Sequence, residues 1–173
     1  MDRVFVCADL HFSHANIIQY CNRPFRSAEE MDQEIVQRWN KAVRKNDHVF
    51  VLGDVSLGSR ERTHELVHQL HGRKILIMGN HDRGRSVATW LDIGFDVVIP
   101  YPILYQNQVL LMHEPPEAIP DTSPYFHIYG HVHTSPDYAD HTTCSACVSL
   151  ERINYTPALL DDVISGKAYT QQR

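Results

Sequence analysis

The chain has 173 residues, a net charge of −5, and apolar and charged fractions ordinary for a globular protein. That length suits one domain, expected over residues 1–173, in which about 70% of the unfolded surface can be buried. The acidic balance argues against a broad nucleic-acid-binding face, and no stretch approaches the roughly 20 apolar residues of a membrane span.

Met1-Asp2-Arg3 leads into an apolar run too brief for a signal peptide. Cys7, Cys21, Cys144 and Cys147 are too sparse for a secreted disulfide framework, so a reducing, cytoplasmic setting is expected. Twelve histidines are many for this length and need an explanation.

Val4 to Ala8 read as a first buried strand that delivers Asp9 and His11. In extended backbone, positions i and i+2 point the same way, so this carboxylate and imidazole can share a target. Phe12 to Phe25 follows as an irregular polar-aromatic segment with His14, Asn16, Tyr20 and Arg23. Ser27 opens a helix, with Glu30 completing a capping box, and Met31, Ile35, Trp39 and Val43 form its buried stripe. Val49 to Leu52 is the second strand, ending in Gly53-Asp54. A helix then runs from about Ser59 to Leu70, with Gly72 near its end.

Ile75 to Met78 form an apolar run typical of a strand buried on both faces, and Gly79-Asn80-His81-Asp82 follow at its carboxyl end. Open α/β sheets place their ligands there. A short helix near Ser86 to Leu91 ends by Gly94. Strands are expected at Asp96 to Ile99, Ile103 to Tyr105 and Val109 to Met112, the last two joined by a turn at Gln106-Asn107. His113 ends the third of these. After a Pro-rich loop, Phe126 to Tyr129 form a strand ending in Gly130-His131-Val132-His133. A strand near Cys147 to Leu150 and a helix near Leu160 to Ile164 complete the chain. Alternating strands and helices followed by strands and hairpins suggest an α/β protein with two sheets face to face and helices outside.

Five strand ends thus carry Asp9 and His11, Asp54, Asn80 and His81, His113, and His131 and His133. Imidazole with carboxylate suits borderline divalent metals such as Mn, Fe, Co, Ni or Zn. There are more ligand candidates than one tetrahedral ion needs, which favours two ions sharing a carboxylate. Such a pair can clamp both sides of an in-line phosphoryl displacement.

These residues resemble the calcineurin-like metallophosphoesterases. The match comprises Asp-x-His at Asp9 and His11, Gly-Asp at Gly53 and Asp54, Gly-Asn-His-Asp at Gly79 to Asp82, His113, and Gly-His-x-His at Gly130 to His133. Asn154-Tyr155-Thr156-Pro157 also looks like the end of small bacterial and phage members. The resemblance implies a four-layer αββα fold, a two-sheet β-sandwich flanked by helices. It implies that Asp9, His11, Asp54 and His133 hold one metal, and that Asp54 bridges to a second completed by Asn80, His113 and His131. It makes His81 the catalytic residue facing phosphate, with Asp82 orienting it. The implied activity is hydrolysis of a phosphate mono- or diester by a metal-bridging hydroxide, with two divalent ions, Mn foremost, as cofactors. The partner is then a small phosphate-ester substrate, with no strong nucleic-acid signal and no membrane. His14 and Arg23 are the candidate substrate contacts, since their segment leaves the strand directly after His11 and both can donate to phosphate oxygens.

Other readings compete. His131 and His133 could join Cys144 and Cys147 in a structural zinc site, which leaves Asp9, His11, Asp54 and Asn80 unexplained. His64, His68 and His71 share a helix face that reads as solvated. Gly79 to Ser86 mimics a P-loop, but Arg85 stands where that motif needs Lys. The chain could also be a non-catalytic scaffold for protein binding, or a metal-dependent nuclease, which would need a basic groove.

Overall fold

The computed structural model describes residues 2–170; Met1 and residues 171–173, the ends of the expected domain, lie outside them. Four parallel strands build the first sheet: β1 (Val4–Cys7), β2 (His48–Leu52), β3 (Arg73–Ile77) and β4 (Val97–Ile99). Their spatial order is β4-β3-β2-β1, and β9 (Ala158–Leu159) adds antiparallel beside β1. Phe5 to Cys7 and Val49 to Leu52 are buried without alternation. That is the pattern of a parallel sheet covered on both faces.

The second sheet runs β5 (Ile103–Tyr105), β6 (Val109–Leu111), β7 (Phe126–Tyr129) and β8 (Ser145–Cys147). Gln106 and Asn107, both at positive φ (50° and 59°), turn the β5–β6 hairpin. The remaining pairs are parallel rather than the expected hairpins. Parallel neighbours need a long connection, and the loops over residues 112–125 and 130–144 supply it without a helix. Val49, Ile77, Leu111, Ile128 and Ala146 belong to one buried apolar cluster, so both sheets share a core.

Helices flank the sheets: α1 (Ala15–Tyr20), α2 (Ala28–Ala42), α3 (Arg60–Gln69), α4 (Val87–Ile93), α5 (Leu160–Ile164) and α6 (Lys167–Thr170). Ser27 caps α2 by accepting from the Glu30 N–H, and Met31, Ile35 and Trp39 are its fully buried stripe. Gly94 ends α4 in the left-handed conformation at φ 119°. The α/β architecture of two sheets flanked by helices agrees with the expected sandwich.

Several local expectations change. The segment after His11 contains helix α1, which buries only Ile17 and is too short to show periodicity. β8 starts two residues before the expected strand and ends three residues before its expected end, and Leu150–Ile153 forms a 3-10 turn. There the chain leaves the second sheet to straddle both. Val148 donates to the Tyr129 carbonyl at 2.8 Å and accepts from Ala8 at 2.9 Å, and Leu150 donates to the Ala8 carbonyl. This crossing locks the end of β1 to the end of β7. Among the described residues, no helix is long and apolar enough to cross a membrane.

Candidate metal centre

Asp9 and His11 leave β1, Asp54 leaves β2, Asn80 and His81 leave β3, His113 leaves β6, and His131 and His133 leave β7. All lie beyond the carboxyl ends of parallel strands. The backbone there is not extended, contrary to expectation. Asp9 (φ 60°), His11 (51°), Asp54 (56°), His131 (69°) and His133 (45°) are all left-handed. Such residues cost on the order of 1–3 kcal/mol each and persist only where surroundings dictate them. Here Asp9 and His11 donate to the carbonyls of Gly53 and Asp54, both at 3.0 Å. Neighbouring loops thus hold one another in register.

The expected ligands form two groups of potential ligand atoms, each within 4.8 Å: Asp9, His11 and His133, and Asp54, His113 and His131. Asp54 lies between them. Its Oδ2 is 3.6 Å from His11 Nε2, and its Oδ1 is 3.4 Å from His113 Nε2. Asn80 Oδ1 sits 2.9 Å from His113 Nε2 and 3.1 Å from His131 Nδ1. The seven expected ligands therefore converge, as one set of three with Asp54 beside it and a second completed by Asn80.

The donor set fits divalent metal ions. Asp9 Oδ1 and His11 Nε2 are buried and without a hydrogen-bond partner among the described residues, a costly arrangement unless an ion takes them. Three imidazoles have Nδ1 engaged, which leaves Nε2 free to ligate. His113 Nδ1 lies 2.7 Å from the Leu52 carbonyl, His11 Nδ1 3.2 Å from His14 Nδ1, and His133 Nδ1 3.1 Å from Glu151 Oε1. A Cβ on Gly130 would lie 2.7 Å from Asp9 Oδ2, and one on Gly79 would strike Asp54 Oδ1. Glycine is needed at both positions so that the carboxylates can approach.

Burial pushes the Asp9 carboxyl above its usual range, against the pull of His133 and His113. Burial opposes ionisation of Asp54 too, yet the hydrogen bond from His113 and the charges of His113 and His11 hold it at about 2. Burial lowers His11 to about 2, so its imidazole is neutral and ready to ligate. Burial works the same way on His113 and His133, but neighbouring hydrogen bonds and carboxylates raise them to about 9 and about 10. Both must release a proton to bind a metal.

His81 stands at the rim with its side chain 45% exposed; its N–H donates to Asp54 Oδ1 at 3.0 Å and its Nε2 is 3.9 Å from Asp54 Oδ2. Asp82 does not orient the His81 ring as expected. Its buried carboxylate accepts backbone N–H groups of Asp54 (2.8 Å), Val55 (3.0 Å) and Gly79 (2.8 Å). It ties the β2 and β3 end loops together, and burial raises its carboxyl to about 6. His14 is half-buried beside His11, with ring centroids 5.2 Å apart.

Arg23 does not face the substrate side, contrary to expectation. Its buried guanidinium donates to the carbonyls of Leu10 (3.0 Å) and Asp9 (2.8 Å) and to Glu151 Oε1 (2.8 Å). Its planar fork suits three fixed acceptors behind the ligand loop. The alternative zinc site is not assembled: the Cys144 thiol reaches the Pro120 carbonyl and that of Cys147 lies beside Ser149. Cys21 and Glu151 come beside His133 instead. No P-loop forms either, since Arg85 donates to the Ser56 and Gly58 carbonyls. Sequence reasoning missed Glu151. Its one signal was a Glu-Arg pair inside the apolar stretch Val148 to Ile153.

Comparisons with known proteins give the fold and the family. A solved structure of a protein of unknown function from Aquifex aeolicus superposes with a TM-score of 0.71 at 23% identity, covering 95% of this chain and 99% of that one, a likeness of fold. An uncharacterized protein of Methanocaldococcus jannaschii is 33% identical over 95% of this chain and 90% of its own length. The gene 66 protein of Mycobacterium phage L5 is 36% identical over 47% of this chain and 41% of its own. The family model for calcineurin-like phosphoesterases matches residues 2–155. With that match laid over the convergent aspartates and histidines, the chain belongs to the calcineurin-like phosphoesterase family.

Proposed function

We propose that the protein is a dinuclear, divalent-metal-dependent hydrolase of phosphate mono- or diesters. The observation that carries this reading is the placement of Asp54, whose two carboxylate oxygens each face a different histidine-bearing group. Asp9, His11, Asp54 and His133 would hold one ion, and Asp54, Asn80, His113 and His131 the other, with Mn the foremost candidate and Fe, Co, Ni or Zn compatible. Bound there, the ions would supply an activated water and neutralise charge on the phosphoryl oxygens.

The chain's own residues do the rest. Neutral Asn80 leaves the site net cationic toward an anionic ester. His81, exposed at the rim and fixed through its backbone to Asp54, is placed to donate a hydrogen bond to a phosphoryl oxygen and a proton to the leaving oxygen. Asp82 holds the loops that carry Asp54 and Gly79, and His14 fixes the ring of His11 while standing beside the path of a substrate. The four free cysteines are compatible with the expected reducing, cytoplasmic setting.

The test is reconstitution. Verified metal-free protein should lack activity on a panel of monoesters, diesters and a labelled oligonucleotide, and Mn²⁺ should restore it on the small esters. Full activity without metal sinks the reading, while cleavage of the oligonucleotide alone transfers it to a nuclease. Two-ion binding with no turnover of any ester would leave the scaffold alternative standing.

A further inference from the structure

A buried ion pair behind the ligands is not accounted for by the fold. The side chains of Arg23 and Glu151 are 0% and 4% exposed and meet at 2.8 Å. Burying two charges costs desolvation that a well-packed apolar pair avoids, so such a pair is weak support for stability alone. What distinguishes this one is where its atoms go. Arg23 Nη2 and Nη1 take the carbonyls of Asp9 and Leu10, inside the left-handed loop that presents Asp9 and His11. Glu151 Oε1 takes Arg23 Nε on one side and faces His133 Nδ1, 3.1 Å away, on the other. The next residue, Arg152, donates to the His133 carbonyl. The 3-10 turn that carries both is pinned to the end of β1 through Leu150 and Ala8.

We propose that Glu151, held by Arg23, is a positioning residue for one metal: it fixes the tautomer and angle of the His133 ring. The same ion pair ties the Asp9–His11 loop to the His133 loop, which come from opposite ends of the metal-binding sequence. The Asp9–His11–His133 ion depends on this buckle. The ion at Asp54, His113 and His131 does not, because His113 is oriented by the Leu52 carbonyl and His131 lies against Asn80. The inference rests on the two-metal reading above and adds to it an unequal dependence of the two sites. Removing a carboxylate that orients a ligating histidine typically costs 10–100-fold in metal affinity.

The experiment titrates Co²⁺ into metal-free protein and follows its visible d–d absorption, with His131→Ala identifying which step belongs to which site. Wild type should bind two ions. Glu151→Gln should bind the Asp9–His11–His133 ion 10–100-fold more weakly with an altered band shape, and the other ion within about threefold of wild type. A merely structural role would lower the melting temperature of the metal-free variant and weaken both steps alike, and that result overturns the proposal. Unchanged affinities overturn it as well. So does a third ion in wild type that Glu151→Gln loses, since Glu151 would then be a ligand. If Glu151→Gln does not fold, Glu151→Asp, which keeps the charge one methylene back, carries the same expectation at the low end of the range. Wild type binding a single ion overturns the dinuclear reading instead, and the effect of Glu151→Gln on that one ion still decides the role of Glu151.

Discussion

At the scale of the residue, Asp54 and His81 answer different questions. Asp54 is nearly fully buried, with one oxygen 3.4 Å from His113 Nε2 and the other 3.6 Å from His11 Nε2. Asp54→Ala should therefore weaken both ions at once and be the most damaging single ligand change. Elemental analysis showing two-metal occupancy unaltered in that variant would remove Asp54 as the bridge. His81 contacts Asp54 through its backbone N–H, so its side chain can be changed without disturbing that bond. His81→Asn should keep both metals and lower kcat by on the order of 10²–10⁴, with a smaller loss on esters that have good leaving groups. A variant that loses a metal would make His81 a ligand.

At the scale of the element, the site is a set of strand ends held at fixed spacing. Gly130 follows β7 at the point where a Cβ would meet Ala8 and come within 2.7 Å of Asp9 Oδ2 and 3.2 Å of the Leu52 carbonyl. Backbone and a packed alanine cannot retreat, so Gly130→Ala should push β7 from β1. Metal uptake should fall before secondary structure does, read by Co²⁺ titration beside far-UV circular dichroism. At the opposite end of the sheet, Asp47 joins Arg3 before β1 to the Arg44 N–H after α2. Burial opposes its ionisation, but these donors hold its carboxyl at about 2, below the usual carboxylate range. Because the folded value is the depressed one, the stability it contributes is complete above about pH 4 and is lost as pH falls through about 2. Asp47→Asn should flatten acid unfolding in that window. An acid limb identical to wild type would mean that Asp47 adds no pH-linked stability.

At the scale of the whole molecule, two carboxylates, four histidines and an asparagine crowd one end of a shared core. Five of those residues sit in left-handed backbone. Metal-free protein carries this strain and its orphaned buried atoms without recompense. An ion that binds only the folded state adds about 2.7 kcal/mol when present at a hundred times its Kd. Chelation should accordingly lower Tm and Mn²⁺ should raise it again, in steps that follow metal content. A Tm independent of metal would show that the crowded groups are satisfied within the chain.

The sequence by itself determined where most strands and helices lie and which polar residues stand at the strand ends, for reasons that are local. Apolar runs such as Val49 to Leu52 cannot be other than buried, and Gly with Asp, Asn or His directly after them places polar groups at strand ends. The helix stripe of Met31, Ile35 and Trp39 and the Gly94 cap were legible for the same reason, since each depends on neighbours within a few residues. Chain order alone could not decide what depends on contacts between distant segments. The parallel pairing of β6, β7 and β8 rests on long connections whose path is tertiary. The left-handed backbone at Asp9 and His11 is imposed by the Gly53 and Asp54 carbonyls, and Asp82 finds its partners on the β2 loop. Arg23, which local reasoning sent toward the substrate, turns inward because its best acceptors are two carbonyls behind the ligands and a carboxylate 128 residues away. No periodicity or motif marks such a pairing; only the fold brings Arg23 and Glu151 together.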